Sequence, residues 1–136
     1  MLKVFGAKLS GMPFIHSTAR IQIPWNLTMR HRACLGEYAN AYSLGKIEIL
    51  VGATVAQEAY LCTGTHDFKS SSLQLITQRI TNDGSALMEV KAMIMPGITI
   101  GKNAVVGAKS VVTKNVKPHH IMAGNPARKI GIDGKR

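Results

Sequence analysis

Aromatic residues are scarce in this chain: Phe, Trp and Tyr together make up 5% of its 136 residues. That excludes a core built on large rings, so Ile, Val, Leu, Met and Ala must fill the interior. It also leaves few rings on which bases could stack. Cysteine is nearly absent. Cys34 and Cys62 stand without a CxxC pair or a metal-type spacing, and read as small buried hydrophobes in a reducing compartment. Long apolar runs are missing as well. The opening MLKVFGAKLSGMPFIHS offers neither a membrane span nor a cleavage site, so no membrane insertion is expected and the cytoplasm is the default location.

Acids are the other shortage. Seven Asp and Glu face 17 Lys and Arg, a formal net charge of +10. Charged residues total only 18% against 46% apolar, which excludes a disordered chain. A balance this basic points to an anionic partner: nucleic acid, an acidic membrane surface or a phosphorylated small molecule. The cations fall in small clusters, at Arg30-His31-Arg32, Lys114 to Lys117, Arg128-Lys129 and Lys135-Arg136. No nucleic-acid motif accompanies them, and no nucleic-acid partner is expected.

What the chain has instead is a period of six. From Met88 an aliphatic residue returns at Ile94, Ile100, Val106 and Val112, with a small residue following four later at Ala92, Ala104 and Ser110. The N-terminal half keeps the rhythm with slips. The whole chain parses into triplets: Leu9/Ile15/Ile21, Met29/Leu35/Ala41, Ile49/Val55/Leu61, Asn82/Met88/Ile94 and Ile100/Val106/Val112. Six fits neither a helix nor a simple sheet. It fits a coil of three short flat faces, each giving one large side chain to the interior, stacked so that parallel strands pair between coils. Every extra residue falls after the third face, around Pro24-Trp25, in YSLGKI and in the long excursion after Leu61. All insertions therefore emerge along one edge, where repeat proteins often build a binding surface.

The stretches IMPGITIGKNAVVGAKSVVTKNV and IMAGNPARKIG, with PWNL, YLCTGTHDF and QLIT, resemble the hexapeptide-repeat acyltransferases, most nearly the colanic-acid and galactoside-type sugar O-acetyltransferases. The likeness runs from about Phe5 to Ile130. It implies an all-β fold, a left-handed parallel β-helix of about five triangular coils, with one extended loop and a short C-terminal tail. The expected organisation is a single domain over residues 1–136, with coils over about 5–116, the loop excursion at 62–81 and the C-terminal segment at 117–136. The resemblance also implies a homotrimer and an acetyl group moved from acetyl-CoA to a hydroxyl of a sugar or glycan. A sugar hydroxyl needs a base as it attacks the thioester, and a histidine, with an ordinary pKa of about 6.5, suits that task. The family's catalytic histidine matches His66, and its acceptor-orienting Asn matches Asn40, which the parse places at the second slip on the same edge. Asp67 either serves the acceptor or braces the loop. For the cofactor, the resemblance points to backbone amides at Ala108 and near Val90 for the pantetheine arm. Thr113, Lys114 and Arg128 match positions at the nucleotide end, where CoA phosphates attract cations.

Departures from the pattern accompany the match. Glycine after the inward aliphatic survives at Gly36, Gly101 and Gly107, but Arg30, Leu50, Asp83, Glu89 and Met95 replace it elsewhere. Asn82 occupies a core position, where an unpartnered amide costs about 1–3 kcal/mol, so a partner or a shifted register is expected. No metal site is expected, since THDF offers one histidine without a close partner, and His119-His120 reads as exposed linker. The alternative reading is a trimeric β-helix scaffold that kept the fold and lost the chemistry.

Overall fold

The structure, a computed structural model, describes residues 2–134, so the Lys135-Arg136 cluster lies outside the described residues. The period of six becomes three short strands per turn. The first coil holds β1 (Lys8–Leu9), β2 (Phe14–Ile15) and β3 (Arg20–Ile21). The second holds β4 (Leu27–Met29), β5 (Cys34–Leu35) and β6 (Asn40–Tyr42), and the third β7 (Ile47–Ile49), β8 (Thr54–Val55) and β9 (Tyr60–Cys62). A hairpin of β10 (Gly64–His66) and β11 (Leu75–Thr77) then leaves the prism. The fourth coil is β12 (Ile80–Asn82), β13 (Leu87–Met88) and β14 (Met93–Ile94), and the fifth β15 (Thr99–Ile100), β16 (Val105–Val106) and β17 (Val111–Val112).

Each strand pairs in parallel with its counterpart one coil away, so the coils stack into three sheets. The register is that of the triplets: Leu9 pairs with Met29, Met29 with Ile49, Ile49 with Asn82 and Asn82 with Ile100. From the second coil on, the inward residues are buried without exception and, Asn82 apart, form one apolar column. Beyond the fifth coil, Val116 bridges Ile100 and β18 (His120–Ala123) pairs in parallel with β16, starting a sixth, partial turn. β19 (Arg128–Ile132) returns antiparallel on β18. His119-His120 thus leads into a strand held between β16 and the edge strand β19 of the second sheet, rather than the linker expected from the sequence.

The corners have a shared construction. At both corners flanking the second face, the residue before the buried small side chain takes a left-handed conformation. Arg32 precedes Ala33, Tyr38 precedes Ala39, Glu58 precedes Ala59 and Lys91 precedes Ala92, all with φ between 53° and 60°. The left-handed residue reverses the chain, and the methyl group fits the narrow angle of the prism. At the third corner, where the insertions fall, the angle is wide enough for a second aliphatic. There Leu27, Ile47, Ile80 and Ile98 are buried beside the regular inward residues.

Asn82 departs from expectation. Its register is regular and it is fully buried, yet neither its Oδ1 nor its Nδ2 has a hydrogen-bond partner. The expected partner or register shift does not occur, because the strand pairs on both sides hold Asn82 between Ile49 and Ile100.

Candidate active site

The hairpin is fixed at its root. Thr63 is buried, its hydroxyl donates to the Tyr42 carbonyl at 2.7 Å, and the Gly45 N–H donates to Thr63 Oγ1 at 2.8 Å. Gln78 N–H closes the far side on the Thr63 carbonyl at 2.9 Å. Gly45 and Gly64 make the fit possible. A Cβ on Gly45 would stand 3.2 Å from Thr77 Cβ, and one on Gly64 would stand 3.1 Å from Leu44 Cδ1.

From that root, β10 carries His66 outward opposite Leu75. The imidazole is exposed, and its Nδ1 lies 2.7 Å from the Leu73 carbonyl oxygen. A carbonyl only accepts, so Nδ1 carries the proton and Nε2 keeps its lone pair. The ring is therefore oriented and set in the tautomer a proton acceptor needs. Asp67 has a local role: its Oδ1 accepts from the Lys69 N–H at 2.9 Å, and its own N–H donates to the Gln74 carbonyl at 2.8 Å. These two bonds brace the loop.

Asn40 is not at the slip. It opens β6 on the flat third face, between Arg20 and Tyr60 of the neighbouring coils, and Ala41 and Tyr42 separate it from the insertion. The third face connects it to the hairpin through Tyr42, whose ring packs 5.9 Å from that of Tyr60 and within 3.4 Å of the Cβ position of Gly64. Sequence periodicity located the edge but missed this tyrosine pair. Eighteen residues is three hexads, which would set the two tyrosines in register, but the extra residues at the slip make the offset twenty, so Tyr42 stands opposite Cys62 and meets Tyr60 on the diagonal.

The expected cofactor residues fall into two groups. Val90 and Ala108 occupy the corner before the third face in successive coils, where the Lys109 N–H donates to the Val90 carbonyl at 2.9 Å. Among the described residues the amide N–H groups of Val90 and Ala108 make no hydrogen bond, so two donors one coil apart are left unspent. Arg128, exposed at the start of β19, follows Ala127, whose N–H donates to the Val111 carbonyl at 2.8 Å, and so lies beside the same corner. Thr113 and Lys114, both exposed, lie on the opposite corner after β17, two coils past β9, where the hairpin leaves. The donor set, free amides with Lys114 and Arg128, suits a phosphorylated, amide-bearing ligand such as CoA. Among the described residues, no group of three or more His, Cys, Asp or Glu side chains could hold a metal ion. No helix among them is long and apolar enough to cross a membrane.

A protein of Escherichia coli (strain K12) named as a colanic acid biosynthesis acetyltransferase, WcaF, is 35% identical over 127 residues, 93% of this chain and 70% of its own length. The chain belongs to the hexapeptide-repeat acetyltransferase family. No family model matches it. The structure of a maltose O-acetyltransferase from Clostridium difficile 630 superposes with a TM-score of 0.84 at 26% identity, covering 98% of this chain and 73% of the other. A hexapeptide-repeat acetyltransferase from Vibrio cholerae, solved with acetyl coenzyme A, shares the fold with a TM-score of 0.69 at 20% identity, covering 96% and 72%. The prism of this acetyltransferase is the left-handed parallel β-helix.

Proposed function

We propose that the protein transfers an acetyl group from acetyl-CoA to a hydroxyl of a sugar or glycan intermediate, in the cytoplasm, with His66 as general base. The observation that carries this reading is the hydrogen bond from His66 Nδ1 to the Leu73 carbonyl, which leaves Nε2 free to take the acceptor proton. As the acceptor oxygen attacks the thioester carbonyl, the proton passes to Nε2. Collapse of the tetrahedral adduct then expels the CoA thiolate, which the imidazolium can protonate. No covalent enzyme intermediate is needed. Asn40 orients the acceptor, and Asp67 acts through the loop that holds His66. Val90 and Ala108 offer amides to the pantetheine arm, while Thr113, Lys114 and Arg128 serve the nucleotide end.

A flat prism face cannot enclose a cofactor, so the site is completed by a neighbouring subunit in a homotrimer. The apolar surface of the hairpin supports this arrangement: Phe68 is 83% exposed and Leu73 55%. Residues 1–136 act as one unit in this reading. The test is acetyl-CoA turnover, read as free thiol against a panel of acceptor sugars. His66→Ala should lose about 10²–10⁴-fold in kcat with its fold and assembly intact. Unchanged turnover in that variant removes His66 from the mechanism. Absence of acetyl-CoA binding at millimolar cofactor, measured by calorimetry on the natural sequence, would leave only a scaffold.

A further inference from the structure

Among the described residues, polar side chains without partners also converge away from the hairpin. A cleft of about 330 Å³ opens at the leading edge of the third face, lined by Arg20, Tyr38, Asn40, Glu58 and Tyr60. Arg20, Asn40 and Tyr60 are register partners in three successive coils, on rungs about 4.8 Å apart. Tyr38 and Glu58 are the left-handed corner residues of the second and third coils. Among the described residues the Arg20 guanidinium, the Asn40 amide and the two phenol hydroxyls make no hydrogen bond or ion pair. Glu58, the one acid lining the cleft, has its charge met by Lys91 Nζ at 3.6 Å. What remains is an uncompensated cation among neutral hydrogen-bonding groups. The Tyr60 phenol is pushed above its ordinary value by partial burial, then by Cys62 and Tyr42, and stays a hydroxyl donor at neutral pH.

The third face leads from the cleft toward the hairpin through Tyr42 of β6. Tyr42 lies two residues past Asn40, packs against the Tyr60 ring and comes within 3.4 Å of the Cβ position of Gly64, two residues before His66. Arg20 sits in the first coil and the hairpin leaves after the third, so a group held by Arg20 is a substituent distinct from the hydroxyl presented to His66.

We propose that Arg20 is a specificity residue that binds an anionic substituent, a carboxylate or a phosphate, on the acceptor glycan, with Asn40 and the two tyrosines holding hydroxyls beside it. The planar fork of a guanidinium matches either anion with two parallel N–H donors. The proposal rests on the acetyl-transfer reading for the fate of the acceptor, but not for its binding.

The test is therefore a binding measurement. Calorimetry on the full chain compares uronic acid glycosides of the gluco, galacto and manno series with their neutral counterparts and with the sugar 6-phosphates. At least one anionic sugar should bind about 10–100-fold more tightly than its neutral partner, the range expected for a charge-assisted contact. Arg20→Gln should abolish that preference while the neutral sugar binds as before, and Arg20→Lys should keep part of it. The carboxylate and phosphate arms show which anion is read. No anionic preference in any series, or a preference that survives Arg20→Gln, overturns the proposal. So does a change of molecular mass in solution for Arg20→Gln, which would make the cleft a subunit contact. Under His66→Ala the preference should persist. If no acceptor is acetylated but the preference holds, the acetyl-transfer reading falls and the anion site stands.

Discussion

Asn82 is the residue at which the core departs from its own rule. Every other inward position from the second coil on is aliphatic, and this amide is buried between Ile49 and Ile100 with both polar atoms unpaired. Leaving a buried polar group unsatisfied costs about 1–3 kcal/mol. Asn82→Val, which removes the polar atoms and restores a β-branched side chain to a parallel strand, should raise stability by about that amount. The urea midpoint checks it; a lower midpoint would show that the amide is satisfied after all. Thr63 makes the opposite case, since its hydroxyl is spent twice, on the Tyr42 carbonyl and the Gly45 N–H. Thr63→Val strands the Gly45 N–H and leaves the Tyr42 carbonyl only the backbone N–H of residue 63 at 3.3 Å, and should cost about 1–3 kcal/mol. It should also lower turnover at fixed acetyl-CoA, because Thr63 anchors the strand that carries His66. Full activity in a destabilised Thr63→Val protein would separate the hairpin root from catalysis.

The coil is the element on which sequence and structure meet most closely. Glycine survives after the inward aliphatic where the next coil passes closest. A Cβ on Gly101 would stand 2.5 Å from Pro118 N and 2.8 Å from Lys117 C, both backbone atoms, whereas one on Gly84 would meet nothing nearer than the Val51 carbonyl at 3.4 Å. Gly101→Ala should therefore destabilise by about 1–3 kcal/mol through overpacking, while Gly84→Ala should be nearly neutral. Equal melting temperatures for the two variants would refute the close approach. The same contrast explains what the sequence disclosed. An inward residue every sixth position is a strong signal, because each one is buried by two neighbouring coils, and it set the register from Leu9 to Val112. The hairpin was legible only as a break. Its strands are three residues each, and β11 is exposed throughout, so no alternation marks it. Asn40 was read onto the right side of the prism but placed in the slip, because the period gives inward positions and not where a strand ends. β18 was missed because its residues are only half-buried and carry no buried rung to mark them.

On the scale of the whole molecule, charge is distributed along the prism axis. Between Val90 and Ile132 the chain carries Lys91, Lys102, Lys109, Lys114, Lys117, Arg128 and Lys129, and no acid. This end includes every residue assigned to the cofactor, and self-repulsion there makes the fold sensitive to one further positive charge. His120 is the group that can add it. Its imidazole is held below the ordinary value by partial loss of solvation, then by the Lys129 and Lys117 ammoniums. A histidine with a lowered folded pKa binds its proton more weakly folded than unfolded. Its linkage therefore leaves stability unchanged at high pH. Stability declines as pH falls below the unfolded value of about 6.5, and the decline ends below the folded value. His120→Gln should flatten that part of the profile, leaving stability at pH 8 unchanged while narrowing the loss between pH 7 and pH 5. Acetyl-CoA bound at this end would bring phosphates toward the same lysines, and on the proposed cofactor assignment it should also flatten the decline in the natural sequence. Thermal unfolding across that range, with and without the cofactor, measures both effects. A slope indifferent to His120→Gln would mean that the carboxylates, not this imidazole, set the acid limit of the fold.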